Sequence, residues 1–88
     1  MESKELMKNV RIFAATHNVK MEQVEVIYKK DLVEGQTYEG ECRNADHAIW
    51  NGTRFVYDRY KFGSTYKEEI NHFEDDNGYD VFVPMKII

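Results

Sequence analysis

Residues 48–63 constrain the fold most, because they have the pattern of a β-hairpin. Two apolar-rich runs, 47–50 and 53–62, flank an Asn51-Gly52 pair. Both residues of this pair tolerate the positive φ of a tight primed turn, so the pair predicts a hairpin. The second run interleaves aromatic with cationic side chains, a mixture that suits a binding surface better than a catalytic one.

The chain of 88 residues is expected to form a single domain, 1–88, with an N-terminal helix over 1–18 and a β module over 22–88. A domain of this size has a small core, so its many aromatic residues are expected to supply most of the stability. Cys42 is the single cysteine, which excludes an internal disulfide. No Cys/His spacing resembles a zinc site, and we expect neither a metal nor a cofactor.

Residues 3–17 are predicted to form an amphipathic helix. One stripe at helical spacing contains Leu6, Met7, Val10, Phe13 and Ala14. Asn18 can end the helix in a left-handed conformation. The apolar residues from Val10 onward also suit the start of a strand. The stripe is expected to pack on the β module, and an oligomer contact is the alternative.

Short strands are predicted to follow the helix. Residues 24–28 alternate, and a second alternating run at 37–42 follows a Gly35 turn. Residues 64–70 have the pattern of one helical turn, and residues 75–78 that of a turn. Residues 79–83 are expected to close the chain as an edge strand that Pro84 ends, because proline cannot donate to a strand ladder.

This order predicts a mostly β fold with one N-terminal helix. It resembles a small SH3-like barrel in four features. These are residues 35–38 leading into the second strand, the Asn51-Gly52 hairpin, the turn that precedes the last strand, and the closing segment 81–84. The alternative is an α+β fold, an antiparallel sheet with the helix across one face.

Charge is unevenly distributed along the chain. The net charge is −4, yet residues 53–67 carry an excess of cations and residues 68–80 contain six acids and no Lys or Arg. The acidic total argues against direct nucleic-acid binding, which needs a strong positive field. The chain shows no signal-peptide pattern and no long apolar run, so a cytoplasmic protein without membrane contact is expected.

The aromatic and basic hairpin predicts a site for an anionic, nucleotide-like molecule. Tyrosine rings offer stacking surface, and guanidinium groups recognise phosphate or carboxylate. The competing interpretation places the rings in the core and the arginines in structural ion pairs. The candidate ligand-binding residues are Trp50, Arg54, Tyr57, Arg59, Tyr60 and Lys61.

The acidic stretch predicts an alternative function, a protein inhibitor that occludes a basic, nucleic-acid-binding site on another protein. Opposite fields steer such partners together. The competing interpretation is a solvated loop, and the stretch lacks the ligand spacing of an EF-hand. The candidate partner-binding residues are Glu68, Glu69, Glu74, Asp75 and Asp76.

A catalytic interpretation pairs Cys42 with His47 or His72. Cys42 lies within a predicted strand, with no helix N-terminus or glycine elbow to lower its pKa, so the chain is not expected to be an enzyme. Each histidine is expected to lie at the surface or to be hydrogen-bonded rather than to bind a metal.

The segment from Tyr57 to Gly63, with the later run 77–84, resembles small proteins of tailed bacteriophages that act in host takeover or counter-defence. This resemblance implies a binding role in the cytoplasm of an infected bacterium. The implied targets are a nucleotide immune signal or a host protein, and a homo-oligomer is compatible with either target.

Overall fold

The computed structural model describes residues 3–75 and 80–88, which form one helix, six strands and two single-turn 3-10 helices. The mostly β fold with an N-terminal helix is confirmed. The 3-10 turns are Met21–Gln23 and Lys29–Asp31. The helix and strands are α1 (Ser3–Thr16), β1 (Val24–Val26), β2 (Thr37–Glu41), β3 (His47–Trp50), β4 (Phe55–Lys61), β5 (Ser64–His72) and β6 (Val81–Ile87).

The six strands form one sheet in the order β1-β6-β2-β3-β4-β5. Neighbours in this order are antiparallel. A short parallel pairing, Asn71↔Val81 and His72↔Phe82, also joins β5 to β6. The sheet with one helix fits the α+β alternative, and the SH3-like barrel stays a prediction.

Two apolar clusters lie on opposite faces of β6, because successive side chains of a strand point in opposite directions. Phe82 belongs to the inner cluster, with residues of β2 to β5 such as Trp50 and Phe55. Val81 and Val83 belong to the outer cluster, which includes Val10 and Phe13 of α1. Both faces of β6 are therefore buried. One face packs in the inner cluster and the other lies under α1.

The apolar stripe of the helix packs on the strands as predicted, because Phe13 is fully buried and Val10 nearly so. Met7, predicted on the same stripe, is instead 48 % exposed. Asn18 has a φ of 55°, as predicted for the residue that ends the helix. The helix itself ends at Thr16, one residue earlier than predicted.

The predicted hairpin of β3 and β4 is confirmed, but its turn differs from the prediction. Trp50 pairs with Phe55, so residues 51–54 form a four-residue connection rather than a two-residue primed turn. The Asn51 side-chain oxygen accepts hydrogen bonds from the backbone N–H groups of Thr53 (2.9 Å) and Arg54 (2.7 Å). Asn51 acts through its side chain here, and Gly52 takes the positive φ, 98°.

The helical turn predicted for 64–70 is wrong, because these residues belong to β5. Phe62 (φ 54°) and Gly63 (φ 79°) form a two-residue turn with both central residues at positive φ, as a type I′ turn requires. This turn sets the register Lys61↔Ser64, which continues to Phe55↔Ile70.

The prediction that Pro84 ends an edge strand is also wrong, because β6 runs through Pro84 to Ile87 and lies between β1 and β2. The Pro84 carbonyl still accepts the Ile27 N–H at 2.9 Å, and the β1 register ends beside it. Pro84 faces Gly40 of β2, where a Cβ would lie 2.1 Å from the Val83 carbonyl oxygen. Glycine at position 40 thus permits the close approach of the two strands. Tyr79 and residues 76–78 of the predicted turn lie outside the described residues.

Candidate functional site

Two of the predicted ligand-binding rings are part of the inner cluster. Trp50 and Tyr57 each keep only 5 % of their surface exposed, and the Trp50 ring lies 4.9 Å from that of Phe55, centroid to centroid. In β4, Phe55 and Tyr57 point inward, whereas Tyr60 points to the other face. These buried rings stabilise the sheet and leave no face open for stacking.

Both predicted arginines pair with glutamates of β5. Arg59 Nη1 lies 3.4 Å from a carboxylate oxygen of Glu68, and Arg54 Nη1 lies 3.6 Å from one of Glu69. The Tyr57 hydroxyl donates to the other oxygen of Glu68 at 3.0 Å. Burial raises the pKa of Tyr57, so its hydroxyl remains a donor at neutral pH. The two candidate arginines and the candidate acids Glu68 and Glu69 therefore neutralise one another.

A cleft of 170 Å³ lies beside these pairs and is lined by Arg54, Tyr57 and three acids, among them Glu68 and Asp80. Cavities that enclose small organic ligands usually measure about 300–1,000 Å³. The cleft is too small for a nucleotide, and its carboxylates would repel a phosphate. This arrangement does not favour an enclosed anion site.

The outer half of the β4–β5 hairpin, residues 58–67, is here called the arm. Within the sheet, β3 pairs with β4 at Phe55 and Val56, and β6 pairs with β5 at Asn71 and His72. The two strands of the arm therefore pair with each other beyond the rest of the sheet. Its tip is the Phe62-Gly63 turn.

The arm keeps three aromatic rings in solvent. Phe62 is 93 % exposed, Tyr60 74 % and Tyr66 40 %. The Lys61 ammonium lies 5.2 Å from the centroid of the Phe62 ring, and Lys61 makes no ion pair with a described residue. Of the predicted ligand-binding residues, Tyr60 and Lys61 are the two with a large exposed surface and no ion pair. Together with Phe62 they make the tip apolar and cationic.

Phe62 is the functional candidate that sequence analysis missed. A bulky residue at φ 54° is rare, because its Cβ crowds the following carbonyl group in the left-handed region. Glycine or asparagine would fit this turn position better. The signal in the sequence is the Phe62-Gly63 pair between the aromatic-rich run 55–61 and the polar run 64–69.

The acidic candidates do not form one open acidic face among the described residues. Glu74 accepts the Lys29 backbone N–H at 2.7 Å, and Asp75 forms an ion pair with the Lys29 ammonium. Glu68 and Glu69 pair with arginines, as described above. Asp76 lies outside the described residues.

The catalytic pair considered from the sequence is not activated. Cys42 is half-buried, its thiol donates to the Ala45 carbonyl at 3.4 Å, and burial raises its pKa. His47 is exposed and bound to Asp46 at 2.7 Å. A raised thiol pKa leaves less thiolate, the nucleophilic form.

His72 is fully buried against the rings of Phe55 and Phe73. Its Nδ1 accepts the Glu74 backbone N–H at 3.0 Å, which leaves Nε2 to donate to the Ile27 carbonyl at 3.1 Å. Burial lowers its pKa, so the neutral ring is the form that fits this site. The prediction of hydrogen-bonded histidines is confirmed for His72 and His47, and also for His17, which contacts Phe13 O at 2.9 Å.

No group of three or more metal-binding side chains occurs among residues 3–75 and 80–88. The helix within these ranges is neither long enough nor apolar enough to cross a bilayer. No family model, curated protein or solved structure matches the chain.

Proposed function

We propose that this protein is a non-enzymatic binding protein that engages a protein partner through the arm. The observation that carries the proposal is Phe62, whose ring is 93 % exposed on a backbone at positive φ. The strained backbone lowers the stability of the isolated chain, and the exposed ring contributes little burial to offset this cost. Strain of this kind clusters at active sites, ligand clamps and switch regions.

The chemistry of the tip suits a protein pocket. Binding interfaces depend on a few aromatic or arginine anchors that fill pockets and are surrounded by polar contacts. Phe62 has the exposure of such an anchor, and Tyr60 and Lys61 flank it. The arm contains Arg59, Lys61 and Lys67 against Asp58, a formal charge of +2 in a chain of −4. An apolar pocket with an acidic rim complements this tip.

Sequestration of a nucleotide-like anion, with the counter-defence role that the phage resemblance implies, remains a second hypothesis. Tyr60 and Lys61 are the exposed residues that support it. Burial of Trp50 and Tyr57, and the ion pairs of both arginines, leave it with less support than protein binding. The acidic-inhibitor hypothesis has less support for the same reason, because its described carboxylates contact partners within the chain.

Capture from a bacterial lysate with the immobilised full chain tests the proposal. A protein that is retained by the wild type and lost with Phe62→Asn supports it. Met7→Gln is the matched control, since Met7 is 48 % exposed on α1 and far along the chain from the arm. A set of bound proteins unchanged by Phe62→Asn contradicts the proposal. A thermal shift with cyclic or linear nucleotides that disappears with Tyr60→Ser would favour sequestration instead.

A further inference from the structure

We propose that the partner of the arm is a second copy of this chain, which receives Phe62 in a groove between β2 and β6. This inference rests on the proposed function and names the partner for the same residues. It follows from an exposed apolar plug and an exposed apolar groove on one small molecule.

The groove has a volume of 470 Å³, within the usual range for ligand-binding cavities. It lies between the start of β2 and the end of β6, beyond Gly40↔Pro84, the last residue pair that joins these two strands. Its lining combines apolar and charged side chains. The apolar residues that matter here are Ile27, Val33, Tyr38 and Ile87. The charged ones are Asp31, Glu39 and Lys86, and Lys86 forms an ion pair with Glu25 at 3.6 Å.

Groove and arm leave comparable apolar surface in solvent. Val33 is 57 % exposed and Ile87 44 % exposed in the groove, against 93 % for Phe62 at the tip. Burying these surfaces against each other removes them from water at both ends of the contact, which favours association.

The charges of the two surfaces are complementary. Lys61 adjoins Phe62 and forms no ion pair with a described residue. The carboxylate of Asp31 in the groove lining likewise forms no ion pair with a described residue. Glu39, the second acid of the lining, lies 3.3 Å from His17 Nε2. A Phe62 ring seated in the groove would bring the Lys61 ammonium close to these acids.

The topology allows this contact to be reciprocal. Strands β2 and β4 run in the same direction, because both are antiparallel to β3. The tip lies where β4 ends, whereas the groove lies where β2 begins and β6 ends, so they occupy opposite ends of the sheet. A two-fold axis perpendicular to the strands inverts one copy and places each tip beside the groove of the other. Two such contacts close a dimer.

Sedimentation velocity of the purified full chain, at concentrations up to about 1 mM, tests the inference. We expect a reversible monomer–dimer equilibrium. Phe62→Asn and Val33→Lys should each raise the dimer dissociation constant by about tenfold or more, as loss of an anchor does. Met7→Gln should leave it unchanged.

A charge exchange makes the test specific to the proposed contact. Lys61→Glu and Asp31→Lys should each weaken the dimer, and the double variant should recover most of the loss, because it restores the opposite charges. A dimer that resists both single changes overturns the inference. So does a series of ever larger species, which would indicate head-to-tail stacking without closure.

A chain that stays monomeric at every concentration also overturns the inference. The proposed function can survive this result. If the monomer captures a different protein and the capture depends on Phe62, the arm still binds a protein partner. If Phe62→Asn changes neither the sedimentation nor the captured proteins, both the proposed function and the inferred dimer are contradicted.

Discussion

Replacing Phe62 by asparagine should stabilise the folded chain while it weakens binding. The left-handed backbone costs an ordinary L-residue about 1–2 kcal/mol, and asparagine tolerates it. The ring itself is 93 % exposed, so its removal forfeits little buried apolar surface. Loss of the exposed cation–π contact between Lys61 and the Phe62 ring cancels about 0.5 kcal/mol of the stability gained from the relieved backbone strain. The expected net gain is therefore about 1 kcal/mol.

Urea unfolding followed by the fluorescence of Trp50, the single and buried tryptophan, measures this gain. The midpoint should rise without a change in the slope m, and the melting temperature should rise by about 4–8 °C per kcal/mol for a domain of this size. Dilute protein should be used, since dimerisation adds concentration-dependent stability.

Phe62→Ala is the matched control, because alanine removes the ring but remains strained at positive φ. Its stability should stay close to that of the wild type. If asparagine destabilises the chain, or if alanine stabilises it equally, the strain argument at this turn is refuted.

Three further predictions concern the remainder of the fold. Gly40→Ala should destabilise the chain by about 1–3 kcal/mol in urea unfolding, because the added Cβ would meet the Val83 carbonyl oxygen; a neutral result would refute the close approach of β2 and β6. The free energy of unfolding should fall as pH drops below about 6.5 toward the lower folded pKa of His72, since the unfolded state then binds more protons; His72→Gln should flatten this part of the profile, and an equal slope in both proteins would contradict the assignment. A double-mutant cycle of Arg59→Gln and Glu68→Gln should give a coupling of about 0.2–1 kcal/mol, because both side chains are partly exposed; a coupling of several kcal/mol would contradict a surface ion pair.

Local patterns in the sequence were sufficient for α1, β2 and the β3–β4 hairpin. The apolar stripe through Val10 and Phe13 determines the helix, and the Asn51-Gly52 pair determines the hairpin connection. Both signals involve residues close together in the chain, so the local sequence is enough to predict these elements. The burial of Trp50 and Tyr57 agrees with the competing interpretation of the hairpin, which places its rings in the core.

The errors arose where a distant segment decides the structure. The arm half of β5 is exposed on both faces, so residues 64–67 carry no alternation that would indicate a strand. Pro84 is tolerated within β6 because the β1 register ends beside it, which the sequence around Pro84 does not indicate. The pairing of Arg59 with Glu68 depends on the β4–β5 register and hence on the Phe62-Gly63 turn.

The central claim is that the arm binds a second copy of this chain, and a dilution series of ¹⁵N-correlated NMR spectra tests it most directly. As the concentration rises, the amide signals of residues 60–66, together with those of Val33 and Ile87 in the groove, should shift while the exposed face of α1 at Met7 and Ile12 stays constant. Shifts confined to that helix face, or spectra that do not change with concentration, would contradict the binding of a second copy by the arm.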